Sequence, residues 1–148
     1  LPGTTNRPIR PAPPVNIGIG VYRLFPEKGI DAASLSCSMM STLFWLMREL
    51  YGRSNLGEGA LKVEGSDLAR MPVLPPGDWS KGVKNEAKTL LCREQLPLRE
   101  EMRQPDRLAI DDVVGDVLRL TKGEREAVRS AVICLVEARI EKANSLRR

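Results

Sequence analysis

The sequence predicts an α+β fold, predominantly α, in which a small strand-helix-loop-strand unit is followed by an all-helical C-terminal unit. Three observations predict it. Apolar residues alternate with period two near the N-terminus, a four-and-three apolar spacing runs from Asp31 to Tyr51, and the second half carries only helical periodicity. The 148 residues divide into a Pro-rich lead-in over 1–14, an α+β unit over 15–80 and a helical unit over 81–148, the last two able to pack as one domain. A chain of this length buries roughly 68–70% of its unfolded surface.

Leu1 to Asn16 holds five prolines and no apolar run of the kind a signal peptide needs, so an extended lead-in is expected. The first residue is Leu1 and not methionine, which suggests a piece of something longer. From Val15, the residues Ile17, Ile19, Val21 and Phe25 alternate with Asn16, Gly18, Gly20 and Tyr22, predicting a strand that ends at Pro26. Gly18 and Gly20 do not make a dinucleotide fingerprint, because Arg23 stands where the third glycine belongs.

Leu35, Met39, Leu43, Leu46 and Leu50 place an apolar stripe on a helix from Asp31 to Tyr51, capped by Asp31 or Ser34 and stopped by Gly52. Met40, Phe44 and Met47 widen that stripe beyond one face, so the helix is expected at the centre of the domain. A glycine-rich loop follows, then Leu61-Lys62-Val63 as a short strand. Ser66 and Asp67 then cap a helical turn over Leu68-Ala69-Arg70-Met71, which Pro72 ends, before Val73-Leu74 runs extended.

Asn85 to Arg103 reads as a helix interrupted by Pro97, with Ala87, Leu90, Leu91 and Leu98 inward. Leu108 to Leu118 places Ile110, Val113, Val114, Val117 and Leu118 on one face. Thr121 and Glu124 form a capping box, and the last helix runs to about Ala143 on Val128, Ala131, Val132, Leu135, Val136 and Ile140.

Composition narrows the chemistry. The chain has no histidine, which removes Ser-His-Asp and Cys-His catalysis and histidine metal sites. Cys37, Cys92 and Cys134 are too far apart for a Cys-x-x-Cys pair and are expected to be reduced and buried in a cytoplasmic protein. No stretch reaches the roughly 18 apolar residues of a membrane-spanning helix, and the mean hydropathy is −0.24. The adjacent carboxylates Asp111-Asp112 and Glu100-Glu101 point to different sides of a helix, so they are expected in solvent and not as an acid/base pair. The net charge of +4 permits a polyanionic partner, and both chain ends are positive.

Local physics singles out the loop from Gly52 to Val63. Its glycines allow close backbone approach, Arg53 and Lys62 supply positive charge, and Asn55 offers a donor and an acceptor. That set suits phosphates and base edges. The same glycines also suit a tight loop that answers only to turn geometry.

The run Met40-Ser41-Thr42-Leu43-Phe44-Trp45-Leu46-Met47-Arg48-Glu49-Leu50-Tyr51-Gly52-Arg53, then Asn55-Leu56-Gly57-Glu58-Gly59-Ala60-Leu61-Lys62-Val63, then Asp67-Leu68 and Met71-Pro72-Val73, closely resembles the C-terminal region of adenine-specific DNA methyltransferases of bacterial restriction-modification systems. Met40 stands where that family usually has asparagine. Asp111-Asp112-Val113-Val114, Leu120-Thr121 and the segment from Glu124 to Ala143 are similar to its closing helices, so the resemblance spans about Ile17 to Leu146.

The resemblance implies a DNA-binding target-recognition fragment, with no catalytic residues of its own. The family's doubly wound domain, which binds S-adenosylmethionine, and its Asn-Pro-Pro-aromatic motif have no counterpart in this sequence, so no cofactor is expected on this chain. Implied near DNA are Arg53, Asn55 and Lys62, with Arg23 and Arg48 as further candidates and Gly57 and Gly59 shaping the loop. The implied partners are double-stranded DNA and the catalytic methyltransferase domain. A structural module that docks that domain, or pairs two copies in a homodimer through the closing helices, is the alternative.

Overall fold

The computed structural model describes residues 27–54, 59–74 and 79–145. Among the described residues seven helices run in the order α1 (Ala32–Met40), α2 (Thr42–Tyr51), α3 (Gly65–Leu68), α4 (Lys81–Cys92), α5 (Leu98–Glu101), α6 (Pro105–Val117) and α7 (Lys122–Ser145). The α+β expectation is corrected by this order, because the described residues are helical and contain no strand. Leu61-Lys62-Val63 makes only a single antiparallel bridge, between Lys62 and Arg53, and Val73-Leu74 pairs with nothing in a sheet among the described residues. The lead-in over 1–14 and the strand expected over 15–25 lie outside the described residues.

The helix expected as one piece from Asp31 to Tyr51 is two. Asp31 caps α1 as expected, its carboxylate accepting from the amides of Ala33 and Ser34, and Gly52 ends α2. Between them Ser41 is extended, with φ −63° and ψ 153°, and it ends α1 and caps α2 through Oγ, which accepts from the Phe44 amide at 3.2 Å. Two side chains of α6 hold the break open. Arg107 donates to the Met40 carbonyl at 2.9 Å, and Asp111 accepts from the Thr42 amide at 2.7 Å and the Thr42 hydroxyl at 2.6 Å. The groups left unpaired by two helix ends are thus satisfied inside the protein.

The break also shifts the buried face. Cys37, Met40, Phe44 and Trp45 are buried, whereas Leu50 of the expected stripe is exposed. One core cluster joins Cys37 and Met40 of α1 to Trp79, to Ala87 and Leu90 of α4, and to Ile110 and Val114 of α6. The other joins Trp45 of α2 to Met102 and to Val132 and Val136 of α7. Each cluster draws on residues from both sides of position 80, so the two units share their core.

The second half follows its signals closely. Ser80 caps α4, Pro97 separates α4 from α5, and Pro105 sits in the first turn of α6, where its missing N–H costs nothing. Glu124 accepts from the Thr121 amide at 2.7 Å, completing the capping box of α7. Three expectations need correction. Val117 and Leu118 are exposed at the end of α6; Asp111 and Glu101 are buried; and of the cysteines only Cys37 is buried, Cys92 and Cys134 being exposed.

The buried acids have hydrogen-bonding partners on other elements, as enclosed carboxyl groups require. Arg107 is fully buried, donating to Glu101 at 2.9 and 3.2 Å while its guanidinium lies 5.4 Å from the Trp45 ring centroid. Arg93 bridges Glu101 at 2.8 Å and Asp106 at 2.6 Å, joining the end of α4 to α5 and α6. Burial pushes the Asp111 carboxyl above its ordinary value, against the opposing pull of its Thr42 hydrogen bonds, Arg107 and Arg129.

Candidate nucleic-acid interface

The loop after α2 begins where Gly52 lets two segments close together. A Cβ at Gly52 would lie 2.6 Å from the Arg48 carbonyl oxygen and 2.8 Å from the Leu61 side chain, so only glycine admits Leu61 here. Arg53 and Lys62 then exchange backbone hydrogen bonds of 2.8 and 2.9 Å, closing the loop at its base. The chain between them returns through Gly59, whose φ of +69° is the left-handed conformation that disfavours a side chain. A Cβ there would also sit 3.3 Å from the Ile140 Cα, because the returning limb rests directly on α7.

Arg139 of α7 fastens this arrangement. Its Nη1 donates to the Gly59 carbonyl, while Nε and Nη2 form a two-pronged pair with the Glu49 carboxylate at 3.0 and 2.9 Å. The end of α2, the returning limb of the loop and the last turns of α7 are therefore one unit.

On that base the side chains of Arg53 and Lys62 stand half in solvent, 50% and 51% exposed. The structure brings these two expected residues together, and it adds two acids the sequence reading did not assign to the site. Arg53 Nη2 donates to Asp67 at 3.1 Å and Nη1 lies 3.5 Å from Glu64, while Lys62 Nζ lies 2.8 Å from Glu64. The Lys62 hydrogen bond holds Glu64 below the ordinary carboxylate range, with the Lys62 and Arg53 charges adding to it. Asp67 is lowered first by the Glu64 amide, then, against burial, by Arg53. Glu64 lies two residues from Lys62, on the same side of an extended segment, and that spacing was a usable signal.

Two positive and two negative charges thus meet at the base of the loop. The carboxylates orient the cations, and the side chains of Arg53 and Lys62 both stay about half in solvent. Gly59, one of the two glycines expected to shape the loop, holds the left-handed conformation at its returning limb. Arg48 is half-buried in the last turn of α2, and its surroundings lower its pKa chiefly by desolvation, opposed by Glu49 and assisted by Arg139. It belongs to the anchor of the loop and not to its solvent edge. Asn55, Gly57 and Arg23 lie outside the described residues.

Among the described residues no group of three or more histidine, cysteine or acidic side chains could hold a metal ion, and no helix is long and apolar enough to cross a membrane. An open groove of about 620 Å³ along α7, lined by Arg99, Met102, Arg129, Ile133 and Glu137 among others, has its charges largely matched, with Arg99 on Glu137 at 2.7 Å and Arg129 on Glu126 at 2.9 Å. No protein-family model, curated protein or solved structure matches the chain.

Proposed function

We propose that this chain is the target-recognition fragment of a cytoplasmic adenine-specific DNA methyltransferase of a restriction-modification system. It grips duplex DNA and positions it for a catalytic domain that binds S-adenosylmethionine and lies outside this sequence. Extrusion of a base requires that the duplex first be held in register, which phosphate contacts do, and that a site be chosen, which side chains in a groove do. The observation that carries the reading is the closed loop base, which projects half-exposed Arg53 and Lys62 from a glycine-bounded loop fastened to α7. The motif resemblance from Met40 to Val73 supports the same assignment.

Binding of a random-sequence duplex pool, followed by fluorescence anisotropy, tests it. Arg53→Ala and Lys62→Ala each weaken binding if the loop contacts phosphates. A docking module for the catalytic domain or a second copy is the competing reading, favoured by the exposed Val117 and Leu118 at the end of α6. That reading predicts a chain indifferent to DNA at low salt.

A further inference from the structure

Helix α4 carries a second surface with the chemistry of a DNA contact. It is amphipathic: Ala87 and Leu90 are buried in the first core cluster, with Val83 and Leu91 packed beside them. Opposite that face, Lys81, Asn85, Lys88 and Thr89 are exposed, as is Cys92 at the helix end. Helical spacing places these five within one arc of roughly a third of the circumference, and none of them is an acid. The flanking charges are occupied or turned aside, since Lys84 pairs with Asp31 at 2.7 Å and Glu86 is half-buried.

Among the described residues no ion pair includes Lys81 or Lys88; Lys28, Arg70, Arg103, Arg119, Lys122 and Lys142 are in none either, but Lys81 and Lys88 stand together on one helix face that carries no acid. Lys81 and Lys88 are seven positions apart, roughly 10.5 Å along the axis. In a major groove wide enough to admit an α-helix, different phosphates of the groove's edge can be reached by two cations spaced along the helix. Between them Asn85 is the side-chain type that can pair with an adenine edge through one donor and one acceptor. The helix is also stiff, capped by Ser80 and wedged between α1 and α6.

We infer that the solvent face of α4 is a second DNA-contacting surface, on which Lys81 and Lys88 hold phosphates and Asn85 faces a base edge. It rests on the DNA-binding reading above but is distinct from the loop, since α4 packs on α1 and α6 while the loop is tied to α2 and α7. The two surfaces would give separate grips on one duplex.

Cysteine protection tests the inference directly. Cys92 lies on the face in question and Cys134 is exposed on α7, so the wild-type chain carries both a reporter and a control. The full chain is treated with N-ethylmaleimide with and without saturating random-sequence duplex at low salt, and modification of each cysteine is followed by mass spectrometry. Alkylation of Cys92 is expected to slow at least fivefold while that of Cys134 is unchanged, and the Lys81→Glu/Lys88→Glu variant is expected to bind the duplex at least tenfold more weakly with an unaltered helical spectrum. If the chain binds duplex and responds to Arg53→Ala, yet Cys92 reacts at its free rate or the double variant binds normally, the α4 surface is wrong and the loop reading stands. Equal protection of both cysteines also overturns the assignment to α4. If no duplex binds, both readings fall.

Discussion

Arg139 and Glu49 form a two-pronged ion pair that is almost wholly shielded from solvent and ties α7 to α2, and the third arm of the same guanidinium holds the Gly59 carbonyl. A charge so enclosed is costly to leave alone. Arg139→Ala is therefore expected to destabilise the chain by about 3–5 kcal/mol, read as the midpoint of urea unfolding. Glu49→Ala should cost a similar amount, and the double variant less than the sum, because the two changes remove one interaction.

Gly59 holds a left-handed backbone and meets α7 so closely that a Cβ would lie 3.3 Å from the Ile140 Cα. Gly59→Ala should cost about 1–2 kcal/mol from the backbone alone. It should also loosen the loop, so limited proteolysis between positions 53 and 62 is expected to quicken more than global unfolding does. Equal acceleration of the two would show that Gly59 serves overall stability and not the loop.

Arg107 is the central cation of the buried network, serving Glu101, the Met40 carbonyl and the Trp45 ring at once. Arg107→Ala is expected to cost about 3–5 kcal/mol, because it takes from the buried Glu101 one of the cations that pair with it. Arg107→Lys should recover only part of that loss, because an ammonium lacks the planar fork that reaches all three partners. Thermal unfolding of the two variants separates the cases.

The same network sets the response to acid. Burial alone raises the Glu101 carboxyl, but hydrogen bonds and charge from Arg93 and Arg107 outweigh it and hold it below its ordinary value. Glu64 and Asp67 are lowered as well. A carboxylate lowered in the folded state contributes stability that is present above its unfolded value, near pH 4, and lost as the pH falls through the folded one. Asp111 acts in the opposite sense, since its raised carboxyl favours the folded state while protonated, so its contribution shrinks as the pH rises above about 4. With several lowered groups against one raised group, helicity at 222 nm is expected to hold at neutral pH and to fall below about pH 4. Glu101→Gln should be less stable at pH 7 and show a shallower dependence of stability on acid pH.

Much of this fold was legible in local signals, and the misses share one cause. The Asp31 cap, the Gly52 stop, the Pro97 break and the Thr121/Glu124 box each act within a few residues, and each stands where the sequence places it. The interruption at Ser41 has no local signal, because the groups that stabilise it, Arg107 and Asp111, come from a helix more than sixty positions away. Glu101 and Asp111 looked like solvated acids for the same reason, their partners lying on other elements. A short apolar run such as Leu61-Lys62-Val63 carries no mark of whether a partner strand exists, and among the described residues it makes a single β-bridge, to Arg53. At the candidate site, the pairing of Arg53 with Lys62 follows from the glycine-bounded loop, whereas the neutralising role of Asp67 depends on a turn of α3 that starts a few residues earlier than its capping pattern suggests.

The most direct test of DNA recognition by this chain is the salt dependence of its duplex binding, measured by anisotropy for the wild type, Arg53→Ala and Lys62→Ala. Each phosphate contact contributes about 0.9 to the slope of log affinity against log salt. DNA recognition through the loop requires a steep slope for the wild type, reduced by about one in each variant. No binding at low salt, or the same affinity and slope in all three proteins, would rule it out.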